Sequence, residues 1–397
     1  GGICPMRGNM TDLEKVSDLR NLHKAYRRVR RGKSNRVPAI RFSLSPLEGL
    51  CVLKWSLENQ KFRMGKYTEF EVRRPAVRQV KTCAFQDKIV LGSLCKNCLW
   101  EKIEPHLIDD NYASRVGYGT HLALNDLEKN LHNFYLNHGK NGYYLRIDAR
   151  KYFFNLSHDL IEQRLEGYGF DPWTMWLIRE ILQSSHAFVK QGYVTPGKIV
   201  FSDMFGMPEL YVGSPIGNET SQAFAVDYAN PIDHFIKDQK GCKYYGRYMD
   251  DSYVIHESRE YLERLLVELR DRYEDIGLEL NHKTQIQPLK NGIKFLGMHF
   301  YLTDTGKVIK KLKPENIKYQ RVHIREHAAW VAEGKITEKN FWERFAAWDN
   351  HASYADTGKL RKEMKKFAEE ALENAYRKKR ELGEVRDNIP DLPEPDN

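Results

Sequence analysis

Tyr248-Met249-Asp250-Asp251 stands between two β-prone runs, Tyr244-Tyr245-Gly246-Arg247 and Ser252-Tyr253-Val254-Ile255. That order predicts a hairpin whose tight turn carries two adjacent carboxylates. Such a pair repels itself and gains nothing from packing, so it normally needs a cation. Oxygen ligands beside aromatic strands point to a hard metal and to phosphoryl-transfer chemistry on Mg2+. An Asp-Asp pair in isolation reads as an ordinary solvated turn, and the rest of the chain decides between the two.

A two-metal site needs a third carboxylate on a neighbouring strand. Tyr143-Tyr144-Leu145-Arg146-Ile147 is an apolar-rich strand that ends at Asp148, the natural candidate, with Phe153 and Phe154 just beyond it. Between Glu260 and Ile276, Leu262, Leu265, Leu266, Leu269 and Tyr273 recur at helical spacing, a face suited to covering a sheet. A strand-like run, Ile293 to Tyr301, follows. The order fits an α+β palm of the split βαβ type, an antiparallel sheet with helices on one face.

The 397 residues allow two or three subdomains, and a hydrophobic content of 41% describes a globular chain. A net charge of +9 suits a polyanionic partner. Lys24, Arg27, Arg28, Arg30, Arg31, Lys33 and Arg36 form a basic run with no acid among them, a candidate for phosphate contact. A second basic segment, Phe70–Arg74 with Arg78–Lys81, reads as a hairpin turned at Pro75. No apolar run approaches the ~20 residues of a membrane span. The opening Gly1–Met6 is too short and mixed to read as a signal peptide. The six cysteines are scattered, and the lone Cys95-Lys96-Asn97-Cys98 has no second pair at zinc-finger spacing. Two reduced helical cysteines and a cytoplasmic location are therefore expected.

Together these segments resemble the reverse transcriptase family. Asp148-Ala149-Arg150-Lys151-Tyr152-Phe153-Phe154 is similar to its motif A, Gly213–Gln222 to motif B, and Tyr248–Asp251 to motif C. Gly277–Thr284 resembles motif D, and Phe295-Leu296-Gly297 the primer-grip motif E. The resemblance implies a right-hand polymerase with fingers, palm and a helical thumb. It implies a basic N-terminal extension over 1–46, a fingers and palm domain over 47–300, a thumb over 301–383 and a disordered acidic tail over 384–397.

The family's roles then fall on particular residues. Asp148, Asp250 and Asp251, with the backbone of Ala149, are expected to hold two Mg2+ ions, Mn2+ being able to substitute. Phe153 becomes a steric gate against a 2′-OH. Arg78 pairs with the incoming phosphates, and Lys283 with the leaving pyrophosphate unless it is a solvated loop lysine. Ile216, Gly217 and Gln222 are expected at the nascent base pair. Tyr248, Met249, Phe295, Leu296 and Gly297 are expected along the primer, and Arg115, Gly117 and Gly119 on the template strand. Template RNA, a DNA or RNA primer and dNTPs are the implied partners.

Motif B separates lineages. Its Ile216-Gly217-Asn218-Glu219-Thr220-Ser221-Gln222 is similar to the form in diversity-generating retroelement enzymes, which misincorporate opposite adenine. That lineage implies a small basic accessory protein. Phage-defence, including protein-primed, and retron-type enzymes share variants of the motif, and a group II intron-like maturase fits less well because no endonuclease region follows the thumb. The different-class alternative is an RNA-binding protein that keeps the palm without polymerising. Beyond Lys313, Phe341, Trp342, Phe345 and Trp348 fall at helical spacing and read first as core, while Lys307, Lys310, Lys311 and Lys313 are candidates to follow the template–primer backbone.

Overall fold

The computed structural model describes residues 10–72, 78–184, 188–202 and 207–387. The chain divides into two compact units, Gly1–Ala123 with Tyr143–Gln287, and Leu124–Gly142 with Pro288–Asn397.

Among the described residues the first unit begins with helices. Thr11 and Glu14 close a capping box on the helix Asp12–Ser17, and Asp18 caps the next, Leu19–Arg30. Their apolar faces, with those of Val37–Leu44 and Pro46–Glu58, are part of the core: Val16, Leu22 and Leu57 are fully buried. Of the basic N-terminal extension expected over 1–46, the described residues from 10 onward thus contribute side chains to the core of the first unit. Strands β1 (Thr68–Val72) and β2 (Arg78–Thr82) then pair as the expected hairpin. The helix Phe85–Leu94 continues through a π-turn at Cys95–Leu99, where Cys95 and Cys98 are buried free thiols.

Strand β3 (Tyr143–Asp148) leads to two capped helices, His158–Gly167 and Pro172–Gln183. Three strands that sequence reading did not anticipate follow: β4 (Phe188–Thr195), β5 (Lys198–Phe201) and β6 (Glu209–Val212), a small antiparallel sheet in the order β5-β4-β6. The helix Glu219–Tyr228 ends at Ala229, and Pro231 sits in the first turn of the next, Asn230–His234, where its missing N–H costs nothing. Strands β7 (Tyr244–Tyr248) and β8 (Asp251–His256), the helix Arg259–Asp275 and strand β9 (Gln285–Pro288) complete the unit. The principal sheet has the order β7-β8-β3-β9. Its Leu145, Ile147 and Val254 share one core cluster with Leu262, Leu265 and Leu269, so the helix 259–275 covers the sheet with the face its periodicity marked. The fold is α+β with antiparallel sheets.

In the second unit β10 (Ile293–Phe295), β11 (Met298–Leu302) and β12 (Val308–Leu312) form an antiparallel sheet. Three helices follow, Pro314–Ala332, Glu338–Ala352 and Gly358–Asp387. Phe341 and Phe345 lie in their core with Ile324, Met364 and Ala368. Helix thus extends past residue 383, while 388–397 lie outside the described residues. Among the described residues no helix is long and apolar enough to cross a membrane.

Candidate active site

The antiparallel register of β3 with β8 sets Asp148 directly opposite Asp251. Met249 and Asp250 form the two-residue turn between β7 and β8, with Met249 at φ 57, a conformation that turns the chain back most tightly but disfavours a side chain. Asp250 is half-buried in that turn. Arg146, two residues before Asp148 on β3, reaches both carboxylates. Its Nε donates to Asp251 Oδ1 at 3.1 Å and its Nη2 to Oδ2 at 3.4 Å. The same Nη2 is 3.6 Å from Asp148 Oδ2. Burial pushes the Asp251 carboxyl above the ordinary carboxylate range; Arg146 opposes that shift, and Asp148 and Asp250 add to it.

Asp148 is held from its other side by residues 281–284. The Asn281 backbone N–H donates to the Asp148 carbonyl at 2.9 Å, and the Asn281 amide donates to Asp148 Oδ1. The Asp148 N–H donates to Thr284 Oγ1 at 3.1 Å, and that hydroxyl donates back to the Asp148 carbonyl at 3.2 Å. Ala149 bridges to Leu280, and the Arg150 N–H donates to the Glu279 carbonyl at 2.7 Å. Lys283 projects from this segment with an exposed side chain.

Among the described residues no three His, Cys, Asp or Glu side chains are grouped closely enough to hold an ion. The donor chemistry nonetheless fits a hard cation. Asp148 and Asp251 offer only oxygens, and a positive group, the Arg146 guanidinium, already stands between them. Two carboxylates brought this near one another require that charge.

The structure joins the motif A and motif B segments through backbone bonds. Ser214 N–H donates to the Phe153 carbonyl and Gly213 N–H to that of Leu156, both at 2.8 Å. Phe153 is half-buried, its ring perpendicular to that of Tyr152 at 5.9 Å between centroids. Gly217 has φ 121, and a Cβ there would lie 3.4 Å from the Lys81 carbonyl on β2. It borders a cavity of about 590 Å3 lined also by Arg28, Lys33, Lys81, Lys88 and Gln222. Gln222 is exposed and accepts from Ser114 Oγ at 3.0 Å. Ile216 is half-buried in the same turn.

Other expected residues are placed differently. Arg115 turns inward: its Nη1 donates to the carbonyls of Ile108 (2.9 Å) and Asn111 (3.0 Å), and its side chain is 5% exposed. Those carbonyls occupy Nη1, and Nε lies 3.5 Å from Glu104 Oε1. Arg28, read as a phosphate contact, donates to Glu219 Oε2 at 3.1 Å and to the Gly92 carbonyl at 2.7 Å. Arg78 pairs with Val72 through its backbone, and its side chain lies outside the described residues, as does the turn at Pro75. Tyr248 is half-buried opposite Asp251. Phe295, Leu296 and Gly297 belong to the second unit, where Leu296 (φ 44) and Gly297 (φ 85) form the turn between β10 and β11.

Sequence reading gave no individual role to Arg146, to Asn281 and Thr284 within the motif D segment, or to Arg247, whose guanidinium donates to Asp233 and to the carbonyls of Val226 and Met249. Arg146 and Arg247 flank the quoted motifs, but nothing local signals which carboxylate each one meets.

No curated protein sequence matches the chain. Among solved structures it is similar to telomerase from Candida albicans, in complex with a fragment of telomeric RNA, at 12% identity and a TM-score of 0.43, covering 84% of this chain and 65% of that one. It is similar also to apo telomerase from Candida tropicalis at 9% identity and a TM-score of 0.45, covering 67% of this chain and 52% of that one. The chain therefore spans between about half and two thirds of the length of these structures. The family model described as reverse transcriptase (RNA-dependent DNA polymerase) matches residues 74–300, a span that runs from the β1–β2 hairpin through β3, the Gly217 turn and the Asp250-Asp251 hairpin to β11. With more than half of its residues inside that match, the chain belongs to the reverse transcriptase family, the RNA-dependent DNA polymerases.

Proposed function

We propose that this chain copies an RNA template into DNA by nucleotidyl transfer at Asp148, Asp250 and Asp251, and that it serves a diversity-generating retroelement. The observation that carries the first part is the β3–β8 register, which faces Asp148 with Asp251 and leaves both carboxylates on one guanidinium nitrogen. Divalent ions such as Mg2+, two in the family's scheme, would there activate a primer 3′ hydroxyl and neutralise the triphosphate and leaving pyrophosphate. The three Asp side chains and the Ala149 carbonyl are the groups that would hold them.

The chain's own residues divide the remaining work. Asn281 and Thr284 fix the position of Asp148, and Arg247 fixes the turn before Asp250. The half-buried Phe153 ring is proposed as the steric gate that would exclude a 2′-OH and so favour dNTPs. Gly217 lets backbone approach the base pair, beside Ile216 and Gln222, and the cationic cavity of Lys33, Lys81 and Lys88 suits a template or nucleotide phosphate. Arg78 is proposed for the incoming phosphates and Lys283 for the leaving pyrophosphate. Tyr248 and Met249, with Phe295, Leu296 and Gly297, are proposed for the primer.

Extension of a DNA primer on RNA with dNTPs and Mg2+ tests the reading. Asp250→Asn keeps the shape, removes the charge, and should abolish extension while leaving the thermal midpoint of the metal-free protein near that of the wild type. Extension by Asp250→Asn at the wild-type rate would sink it. The lineage rests on Ile216, an apolar group where an amide would otherwise bond near the nascent pair. Ile216→Gln should lower misincorporation opposite template adenines, and an unchanged error spectrum removes the retroelement assignment alone.

A further inference from the structure

Arg146 and Asp148 are separated by one residue on β3, so alternation places both side chains on one face of the sheet. Register sets Tyr253 opposite Arg146 and Asp251 opposite Asp148, which leaves Arg146 diagonal to Asp251 and within reach of it. The guanidinium grips Asp251 with two nitrogens at 3.1 and 3.4 Å, and its Nη2 stands 3.6 Å from Asp148. One positive group therefore lies between the two carboxylates that the proposed reaction assigns to cation binding.

We propose that Arg146 is a tethered counter-cation: it holds Asp148 and Asp251 together when no divalent ion is bound and releases them when one binds, thereby setting the affinity for that ion. The inference rests on the reading of Asp148 and Asp251 as cation ligands. Its physical basis is competition for the same oxygens. A guanidinium spreads one charge over a planar fork that matches a carboxylate, whereas a divalent ion concentrates two charges at a point. The ion wins the exchange, but only after the fork is broken. The side chain of Arg146 is 25% exposed, so it has an open direction in which to withdraw. Asn281 does not compete in this way, because a neutral amide leaves the charge of Asp148 uncompensated.

Arg146 is thus a positioning residue with two opposed effects. Its loss should weaken the metal-free protein, which is left with unpaired carboxylates, and should strengthen cation binding, which loses a competitor. A plain strand-stabilising ion pair predicts the first effect without the second.

The experiment titrates the full chain with Mn2+, following free Mn2+ by electron paramagnetic resonance, and records thermal midpoints in chelator and in saturating Mn2+. Arg146→Gln should melt lower than wild type in chelator yet bind Mn2+ roughly tenfold more tightly, the scale of one charge-assisted fork. Its rise in midpoint with Mn2+ should exceed that of the wild type. Arg146→Lys, which keeps the charge without the fork, should fall between the two. A Kd for Arg146→Gln equal to or weaker than that of the wild type overturns the proposal. Should Arg146→Gln fail to fold, Arg146→Lys decides, and a wild-type Kd there overturns the proposal equally. A wild type that binds no Mn2+ would instead remove the assignment of Asp148 and Asp251 as cation ligands, and this inference with it.

Discussion

Arg247 and Asp233 form a forked ion pair inside the core, Nε to Oδ1 at 2.7 Å and Nη2 to Oδ2 at 2.6 Å, with the two side chains 1% and 0% exposed. The remaining donors of Arg247 reach the Val226 carbonyl at 2.7 Å and the Met249 carbonyl at 3.1 Å. Tyr245 also donates its hydroxyl to Asp233 Oδ1 at 2.6 Å. The helix Asn230–His234 is therefore bolted to the strand that ends at the Asp250-Asp251 turn.

Removing one partner strands a buried charge, which costs far more than the pair itself contributes. Asp233→Ala should destabilise the protein by about 3–5 kcal/mol in urea denaturation. The double variant Asp233→Leu with Arg247→Met, apolar on both sides, should cost less than the sum of the two single changes. Additive losses would mean that the two side chains do not act as a pair. The double variant should also bind Mn2+ more weakly than its stability alone explains, because the Met249 carbonyl has lost its donor.

Phe153 offers a test of sugar selection. Its carbonyl is pinned by the Ser214 N–H, and the neighbouring Tyr152 hydroxyl donates to the Ala225 carbonyl at 2.6 Å, so the ring has little freedom to step aside. Truncation opens space without disturbing those bonds. Phe153→Ala should reduce the ratio of kcat/KM for dATP over ATP by roughly tenfold to a hundredfold, chiefly by improving use of ATP. An unchanged ratio would place the 2′ discrimination elsewhere.

What was legible in the chain follows from how local each signal is. The Asp250-Asp251 hairpin, β3 and the helix 259–275 are written in periods of two or 3.6 within one short window, and each was readable. So was the hairpin of β4 and β5, since Thr195-Pro196-Gly197-Lys198 separates two β-branched runs, yet it was passed over. The contacts that position the candidate site are of another kind. Arg146 meets Asp251 across 105 residues of sequence, and Asn281 meets Asp148 across 133. Such pairings are set by strand register and have no local pattern. The inward turn of Arg115 is a local matter by contrast, since the carbonyls of Ile108 and Asn111 that it meets belong to its own loop.

Asp87 should give the protein a recognisable pH dependence. It is fully buried in the first turn of the helix Phe85–Leu94, and its Oδ2 accepts from the Gly65 N–H at 2.9 Å. Burial raises its pKa, against the opposing pull of the Gly65 and Ala84 backbone and of Lys88. A carboxyl with a higher pKa folded than unfolded binds its proton more tightly in the folded state. Its contribution is therefore fully present below the unfolded value and is lost as pH rises through the folded one. Asp87→Asn stays neutral and leaves an amide oxygen able to accept from Gly65. Its urea midpoint should decline less than that of the wild type as pH rises above the ordinary carboxylate range. Parallel declines would show that Asp87 ionises as freely in the fold as outside it.

Gly217 is held to its residue type by backbone conformation. At φ 121 it occupies a region that side chains rarely adopt, while a Cβ would meet the Lys81 carbonyl at 3.4 Å and Val80 Cγ1 at 3.7 Å, ordinary contact distances. Gly197, in the turn between β4 and β5, has φ 74 with nothing within 4 Å of the same position. Gly197→Ala should therefore report conformational strain alone, on the order of 1 kcal/mol. Gly217→Ala forces a side chain into the less populated of the two conformations, so it should lose more stability, about 1–3 kcal/mol. It should lower kcat/KM for primer extension by a larger factor than that loss of stability can account for, since the turn that yields is the one bordering the cationic cavity. Equal losses for the two alanines, with extension unaffected by either, would mean that φ 121 costs no more than φ 74 and that the Gly217 turn has no bearing on catalysis.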